Sequence, residues 1–347
     1  MARRRALALL SGGLDSMLAA RVVKDQGVDV EAVNFFTGFC VEGHTRALRA
    51  DKGPRRGHDA LRAADEIGVK LHFVDVSEDY KPVVLAPRFG YGQHMNPCLD
   101  CKIFLVGRAR EIADREGFDF LVTGEVLGQR PKSQRPEALP LVAREGGAED
   151  RVLRPLSAKH LPPTLPEREG WVDRDALFDF HGRNRKPQLA LAERLGITSH
   201  AQPSGGCCFL ADEAYSRKLD DLLSTRPDDA RDYALDEVVL LKVGRHLRCA
   251  PEFKLIVGRE EGENRHLRGY AHRWPLLEAV SHEGPVALVD GTPDADQLEL
   301  AARVVARYGR GRAAPLVRVR VREPDGRERE LEVRPLRPDE VPDAWML

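Results

Sequence analysis

The stretch of sequence that decides the fold of this chain is Ala6-Leu7-Ala8-Leu9-Leu10-Ser11-Gly12-Gly13-Leu14-Asp15-Ser16. A short apolar run ends in two glycines, and an amphipathic run over residues 17–26 follows. This order predicts a buried strand, a tight turn and a helix. Gly12 and Gly13 allow backbone angles closed to other residues and let an anion approach the amide groups. Because a helix N-terminus carries unpaired N–H groups and a positive dipole end, the turn predicts a phosphate-binding site.

Three polar side chains of this turn suit a phosphate site that also holds a metal ion. Ser11 and Ser16 add hydroxyl donors. Asp15 would be out of place beside an anion unless it holds a Mg²⁺ on the phosphates. The turn is shorter than G-x-x-x-x-G-K-[ST] and has no lysine, so it is not a Walker phosphate loop.

The first half of the chain alternates apolar runs with amphipathic ones. We expect strands over residues 6–10, 30–35, 70–76 and 120–124, and helices over 17–26, 57–67 and 104–116. This alternation predicts an α/β fold, a parallel sheet with helices on both faces. In such sheets the ligand lies beyond the C-terminal ends of the strands, where Thr123 and Gly124 also fall.

The pattern changes after about residue 213. We expect helices over 214–224 and 294–308, strands over 238–243, 253–257 and 286–289, and a hairpin of strands 316–322 and 328–333 around Asp325-Gly326. The sequence therefore predicts two domains, an α/β domain over residues 1–212 and a small α+β domain over 213–347.

Composition narrows the class of protein. The chain has 347 residues and a formal net charge of −1, so any RNA site must be a local basic patch. The apolar run after Met1 is too short for a signal peptide, and no run reaches transmembrane length. We therefore expect a cytoplasmic protein with no membrane partner, whose six cysteines serve chemistry or packing and not disulfides.

Four cysteines form two groups, Cys98-Leu-Asp-Cys101 and Cys207-Cys208. All four could bind zinc, although adjacent residues of an extended chain point to opposite sides. Cys98 and Cys101 alone could form a redox pair. Three thiolates, from Cys98, Cys101 and Cys207 with Cys208 as the alternative third, could hold an iron–sulfur cluster with one open iron. The remaining interpretation is that the thiols are buried and inert, and we expect this packing role for Cys40 and Cys249.

The motif Ser11-Gly-Gly-Leu-Asp-Ser16 resembles the PP-loop of the ATP pyrophosphatases. Residues 121–134, Leu-Val-Thr-Gly-Glu-Val-Leu-Gly-Gln-Arg-Pro-Lys-Ser-Gln, resemble the T-G-E-x-L-G-Q-x-x-S-Q segment of the tRNA 4-thiouridine synthases. Residues 203–210, Pro-Ser-Gly-Gly-Cys-Cys-Phe-Leu, are similar to a segment of relatives that bind a [4Fe-4S] cluster.

These resemblances imply an ATP-dependent tRNA sulfurtransferase that adenylates a uridine carbonyl, with 4-thiouridine favoured and 2-thiouridine as the alternative. They imply that Asp15, Cys98, Cys101 and Cys207 are catalytic. They also imply an ATP–Mg²⁺ site, whose members follow the first, second and fourth strands: Ser11, Gly12, Gly13, Asp15, Ser16, Asn34, Phe35, Thr123 and Gly124. The sulfur donor would be sulfide or a persulfide-carrying protein. The chain could also form a homodimer.

Residues 241–265 resemble the NFACT-type RNA-binding domain. Lys242, Arg245 and Arg248 alternate there with apolar residues, which predicts a basic row on one face of a sheet for tRNA. Gln129, Arg130 and Lys132 follow the Thr-Gly-Glu turn, and we expect them to contact RNA phosphates or to close over the adenylate. Solvated charge is the competing reading for both sets.

Two other functions compete with tRNA thiolation. Other PP-loop proteins transfer a nucleophile to a small molecule, which would need neither RNA affinity nor the cysteines. An RNA-binding protein with a degenerate nucleotide domain is the non-enzymatic alternative, and the intact motif over residues 11–16 argues against it.

Overall fold

The computed structural model describes residues 3–40, 59–198, 208–227 and 231–347. They fall into two compact units, and the boundary between the units in the sequence lies at Ala211 and Asp212. Each unit has its own sheet. In the described parts of the chain no helix has both the length and the apolar character that a membrane crossing requires.

The first unit is built on a parallel sheet of five strands in the order β3-β2-β1-β4-β5, which confirms the predicted fold class. β1, the first strand of the chain, is the central strand, with β2 and β4 as its neighbours. The strands are β1 (Arg5–Leu9), β2 (Asp29–Phe36), β3 (Leu71–Asp75), β4 (Phe120–Val122) and β5 (Val152–Leu153).

Helices cover both faces of this sheet. Ala6 and Ala8 of β1 belong to one buried cluster and Leu7 to another, because successive residues of a strand point to opposite faces. The helices are α1 (Leu14–Asp25), α2 (Asp59–Ile67), α3 (Lys81–Leu85), α4 (Cys98–Glu116), α5 (Ala138–Glu145), α6 (Leu165–Arg168) and α7 (Lys186–Arg194). Residues of α1 and α7 pack in the first cluster, and residues of α4 and α5 in the second.

The second unit has an antiparallel sheet of six strands in the order β11-β10-β8-β9-β7-β6. Its strands are β6 (Arg245–Ala250), β7 (Phe253–Val257), β8 (Leu276–Ala279), β9 (Val286–Gly291), β10 (Val317–Arg322) and β11 (Glu328–Val333). Its helices are α8 (Glu213–Ser224), α9 (Leu235–Leu240), α10 (Glu261–Arg268) and α11 (Ala295–Tyr308). The predicted hairpin around Asp325-Gly326 is present as β10 and β11.

Two predicted elements are wrong in type or extent. Residues 238–243, expected as a strand, are helical over 238–240 in α9 and form a turn and a bend over 241–243, because the Glu237 carboxylate accepts a hydrogen bond from the Ala234 amide at 2.9 Å and starts a helix. α4 begins at Cys98 and not at residue 104, since the Cys101 amide already donates to the Pro97 carbonyl at 2.8 Å. The C-x-x-C pair is therefore on the first turn of a long helix.

Candidate functional site: a phosphate loop joined to a cysteine helix

The loop between β1 and α1 depends on glycine at its first position. Gly12 has φ +77°, a conformation that few other residues adopt. A Cβ atom on Gly12 would also lie 2.7 Å from the Ala60 nitrogen and from the Asp59 carbonyl carbon of α2. α1 then begins at Leu14, with Asp15 in its first turn. The loop thus has the strand, glycine turn and helix N-terminus that a phosphate site needs.

Hydroxyl groups fix the shape of this loop. Buried Ser16 donates from Oγ to the Gly13 carbonyl at 2.8 Å and accepts from the Ser11 amide at 3.3 Å. Ser11 is exposed, and its Oγ accepts from the Gly13 amide at 3.4 Å. Ser16 therefore holds the loop together, whereas Ser11 is accessible to a ligand.

The turn after β4 lies directly against this loop. A Cβ atom on Gly124 would come within 2.4 Å of the Ser16 nitrogen and 2.5 Å of the Asp15 carbonyl carbon. The segments that follow two adjacent strands, β1 and β4, therefore form one site. Ser16 and Gly124 meet there, although they are 108 residues apart in sequence. Thr123 is buried and donates from Oγ1 to Glu125 at 3.1 Å.

Asn34 and Phe35, expected to contact the nucleotide base, both make contacts within the protein. The Asn34 side-chain amide donates to the Leu10 carbonyl at 2.8 Å. Phe35 is buried in the cluster under the sheet. A role for either residue in base recognition stays a prediction.

We call the loop between β1 and α1 the phosphate loop, and α4 the cysteine helix. The segment over residues 126–135 connects the two. Gln129 donates from Nε2 to Asp15 Oδ2 at 3.1 Å. Ser133 is fully buried, and its Oγ lies 3.7 Å from Cys98 Sγ. Lys132 donates from Nζ to the Tyr91 carbonyl at 2.6 Å. Gln129 and Lys132, predicted RNA contacts, thus hold protein groups together, and Arg130 between them is exposed.

The structure locates part of the predicted cysteine set. Cys98 and Cys101 lie one turn apart at the start of α4 and are half-buried. Cys208 pairs with Cys40, just beyond β2, in an antiparallel bridge, and the Phe209 amide donates to the Phe39 carbonyl at 2.9 Å. Cys207, the preferred third ligand, is outside the described residues.

A cluster site receives no support from this arrangement. Within the described ranges, no three His, Cys, Asp or Glu side chains are grouped so that they could hold a metal ion. Cys249 fits the packing role expected for it, because burial raises the pKa of its thiol to about 12. Cys40, expected only to pack, lies beside Cys208, with its Sγ 3.5 Å from Thr37 Oγ1.

A buried carboxylate beside the site was not anticipated from the sequence. Glu125 is 3% exposed and accepts from Arg154 Nε at 3.0 Å, while its other oxygen lies 3.8 Å from Lys102 Nζ. Burial by itself would raise the pKa of the Glu125 carboxyl, but the Arg154 and Lys102 charges and hydrogen bonds from Arg154 and Thr123 hold it below its usual value. Lys102 follows Cys101, so this carboxylate links β4, β5 and the cysteine helix.

The basic row predicted in the second unit is not an exposed row. Arg248 makes two bonds to Asp221 of α8, at 2.8 and 2.7 Å, and Lys242 is buried. Lys254, the next basic residue, is 1% exposed and lies 3.3 Å from both Asp221 and Asp290. Arg245 stacks on the Tyr308 ring, 5.2 Å from its centre. Alternation of charged and apolar residues does not indicate that α8 supplies Asp221 to this face.

Comparison with known proteins assigns both parts of the chain to described domains. Residues 4–139 match the model of the tRNA methyl transferase HUP domain, and residues 244–346 match that of the NFACT protein RNA binding domain. The chain is similar to the PP-loop tRNA thiolases. The resemblance found from the PP-loop and from residues 241–265 is therefore confirmed.

Curated proteins that are similar to this chain include several named tRNA-specific 2-thiouridylase MnmA. A protein from Thermus thermophilus is 27% identical over an alignment of 249 residues, and the match covers 68% of this chain and 62% of the relative. The protein from Syntrophotalea carbinolica is 33% identical over 60% of this chain and 56% of the relative. The chain thus spans about three-fifths of the length of these relatives.

Two of the solved structures that are similar to this chain have low TM-scores. A 4-thiouridine synthetase in complex with RNA and ATP matches 57% of this chain and 54% of its own, with 21% identity and a TM-score of 0.34. The C-terminal part of the fibronectin/fibrinogen-binding protein from Streptococcus suis matches 48% of this chain and 79% of its own, with 14% identity and a TM-score of 0.27.

Proposed function

We propose that this protein thiolates a uridine of tRNA in an ATP-dependent reaction. One observation carries the proposal: the segment over residues 126–135 contacts Asp15 of the phosphate loop through Gln129 and Cys98 through Ser133. A site that activates a carbonyl and a thiol that delivers sulfur are thereby built into one unit.

The phosphate loop serves the first half of the proposed reaction. Loop amides and the accessible Ser11 hydroxyl bind the phosphates of ATP, and Asp15 is the residue that would hold Mg²⁺, which neutralises phosphate charge when bound. The uridine carbonyl oxygen attacks the α-phosphorus, the α–β phosphoanhydride bond breaks, and pyrophosphate leaves. The oxygen is then part of an adenylate and can depart with AMP.

Cysteine thiols serve the second half. A persulfide on Cys98, supplied by a sulfur-donor protein, attacks the adenylated carbon with its outer sulfur, and AMP leaves with the oxygen. A second thiol, Cys207 or Cys208, then attacks the Cys98 sulfur, so that a disulfide forms and the sulfur stays on the base. An external dithiol afterwards reduces the disulfide. The first-turn amides of α4 favour negative charge on the Cys98 sulfur.

No step of this proposal uses an iron–sulfur cluster or zinc. The two described cysteines of α4 supply only two ligands, and no third potential ligand accompanies them in the described ranges. The persulfide route needs only one thiol on the helix and one from the Cys207-Cys208 pair. It also agrees with a cytoplasmic location, where thiols are kept reduced.

The position of thiolation that we propose is the 2-position of uridine. The sequence resemblance favoured 4-thiouridine, but the curated relatives are named 2-thiouridylases, which was the alternative. The second unit matches an RNA-binding domain, and we propose that it holds the tRNA. The 4-thiouridine product remains the second candidate because of the match over residues 121–134.

Two variants separate the halves of the reaction. Asp15→Ala is expected to abolish both pyrophosphate release and thiolated nucleoside, measured by mass spectrometry of digested tRNA. Cys98→Ala is expected to keep tRNA-stimulated pyrophosphate release and to lose the thiolated nucleoside. The matched control is Asp25→Ala, since Asp25 is in the last turn of α1, away from the loop, and pairs with nearby Arg21.

Full thiolation by Asp15→Ala would remove the phosphate loop from the mechanism. Thiolation that survives in Cys98→Ala, in Cys207→Ala and in Cys208→Ala would remove the persulfide route. The retention time of the product against authentic 2-thiouridine and 4-thiouridine decides between the two positions.

A further inference from the structure

A groove in the first unit is lined in part by the residue that follows the proposed sulfur-bearing Cys98. It has a volume of about 400 Å³, and Leu99, the residue after Cys98, forms part of its wall. Phe89 and Leu141 also line it, together with the basic residues Arg135 and Arg144. We call this feature the Phe89 groove. Its volume falls in the range of sites for small ligands.

An exposed aromatic ring stands at the edge of this groove. Phe89 is 39% exposed, so part of its apolar ring is in contact with water. Burial of this area by a ligand would be favourable. The Arg88 guanidinium lies 5.4 Å from the centre of the Phe89 ring. An aromatic face with a neighbouring arginine is the arrangement on which unpaired nucleic-acid bases stack.

The backbone under this ring is held rigidly. Asp100 of α4 is buried, and its carboxylate accepts from the Arg88 amide at 2.9 Å and from the Phe89 amide at 3.0 Å. Nearby, the Tyr91 hydroxyl donates to the Val84 carbonyl at 2.6 Å. Because the backbone that carries the ring is already ordered, binding costs little further conformational entropy, and the exposed ring is suited to recognition.

The charge of the groove is complementary to phosphate. Lys132, Arg135 and Arg144 line it, and Glu137 is the one acidic residue of its described lining. Glu137 lies 4.0 Å from Arg135, and Arg144 lies 3.7 Å from Glu145, so both arginines make only long ion pairs on an exposed surface. Such pairs contribute little and can be exchanged for a phosphate.

We propose that the Phe89 groove binds single-stranded nucleotides that flank the target uridine of tRNA, with a base on Phe89 and phosphates at Arg135 and Arg144. This inference rests on the proposed function. An aromatic ring beside two arginines favours an unpaired RNA strand, which supplies both a base and phosphates, over a peptide without acidic side chains. Leu99 in the wall of the groove and Cys98 are both in the first turn of α4, so the groove and the proposed sulfur carrier share this turn.

Binding of fluorescent unmodified tRNA and of a single-stranded oligouridylate to the full chain tests this inference. Phe89→Ala is expected to weaken both probes about tenfold and to leave the salt dependence unchanged, because stacking carries no charge. Arg135→Gln with Arg144→Gln is expected to lower the slope of log K against log salt by about 1.4, since each phosphate contact on a single strand contributes about 0.7. Both variants are expected to bind ATP normally.

Matched controls lie elsewhere on the same unit. Leu189→Ala removes an exposed apolar side chain of α7, and Arg115→Gln removes an exposed arginine at the far end of α4 that pairs with its neighbour Glu116. Both are expected to bind tRNA as the wild type does. Phe89→Leu keeps apolar bulk without an aromatic face, and it is expected to bind as weakly as Phe89→Ala.

The outcomes separate this inference from the proposed function. If the wild type thiolates tRNA and the groove variants bind both probes with wild-type affinity and salt slope, the groove inference is overturned and the proposed function stands. If the wild type binds ATP but neither probe and forms no thiolated nucleoside, both are overturned. If Phe89→Leu binds as the wild type does, base stacking on Phe89 is overturned.

Discussion

The absence of a side chain at Gly124 allows the turn after β4 to lie against the first turn of α1. The nearest atoms that a Cβ would meet are backbone atoms of Asp15 and Ser16, at 2.4 to 2.6 Å. Real Cβ atoms do not approach so closely, and the backbone of a helix cannot move aside as a flexible side chain can. The position of the phosphate loop is therefore set by this contact as much as by Gly12 and Gly13.

Gly124→Ala is expected to weaken ATP binding at least tenfold, because the start of α1 must shift away from β4. The same strain is expected to cost about 1 to 3 kcal/mol of the free energy of unfolding. Isothermal titration with a non-hydrolysable ATP analogue and urea unfolding measure the two effects.

Gly107→Ala is the matched control for this substitution. Gly107 is inside α4, and its Cβ would meet only Gly146 at 3.8 Å, an ordinary contact. That variant is expected to keep ATP affinity and to gain up to about 1 kcal/mol, since alanine favours a helix. Equal ATP affinity in the two variants would show that the Gly124 contact does not position the loop.

At the scale of elements, the Glu125 carboxylate joins segments that carry different steps of the proposed reaction. Its partners are Arg154 beside β5, which is 6% exposed, and Lys102 on the cysteine helix. Arg154 also donates to the Leu139 carbonyl of α5 at 2.9 Å. A buried charge that loses its partner is costly, so this network fixes β4, β5, α4 and α5 relative to one another.

Arg154→Met is expected to lower the free energy of unfolding by about 3 to 5 kcal/mol, because it leaves a buried carboxylate with less compensation. Combining it with Glu125→Gln is expected to restore part of that loss, since the buried charge is then gone. A double-mutant cycle in urea measures the coupling. Strictly additive effects of the two substitutions would contradict a direct buried pair.

These elements also show how far the sequence predicts this molecule. The strand, turn and helix around Gly12 were predicted because their signals are local: an apolar run, two glycines and an amphipathic run. The start of α4 at Cys98 was missed because the amphipathic pattern predicted a helix only from residue 104. Glu125 and Arg154 are 29 residues apart, and nothing in the spacing indicates that two charged residues are buried together.

The prediction of an exposed basic row in the second unit was wrong for a similar reason. Alternation of charge and apolar residues predicts that a strand has two different faces, but not which element covers each face. α8 covers the face of Arg248 and Lys254 and supplies Asp221 as their partner. The Phe89 groove, in contrast, has no sequence signal beyond separate aromatic and basic residues, since its walls come from three segments of the chain.

At the scale of the whole molecule, one lysine makes the stability of the second unit depend on pH. Lys218 of α8 lies in the second unit, and its pKa is lowered to about 8, mainly by burial and then by the charge of Arg259. Between pH 8 and about 10.5 the unfolded chain holds a proton on this lysine that the folded chain has released. The stability of the second unit therefore rises with pH across this range.

Lys218→Met is expected to remove this pH dependence. Relative to the variant, the wild type is expected to gain up to about 3 kcal/mol between pH 8 and 10.5, as one pKa unit is worth about 1.4 kcal/mol. Urea unfolding in a Trp171→Phe background measures it, because the two remaining tryptophans, Trp274 and Trp345, pack on clusters of the second unit. A constant difference between the two proteins across this range would contradict the lowered pKa.

The central place of β1 has a consequence for synthesis of the chain. β1 is translated long before its neighbour on one side, β4, which begins at Phe120. At about 5 to 20 residues per second, roughly 6 to 24 s pass before that neighbour is made. During this time one edge of the strand that carries the phosphate loop has no partner in the sheet. Until translation has passed Gly124, a nascent chain therefore exposes an apolar strand edge, and the proposed ATP site is incomplete.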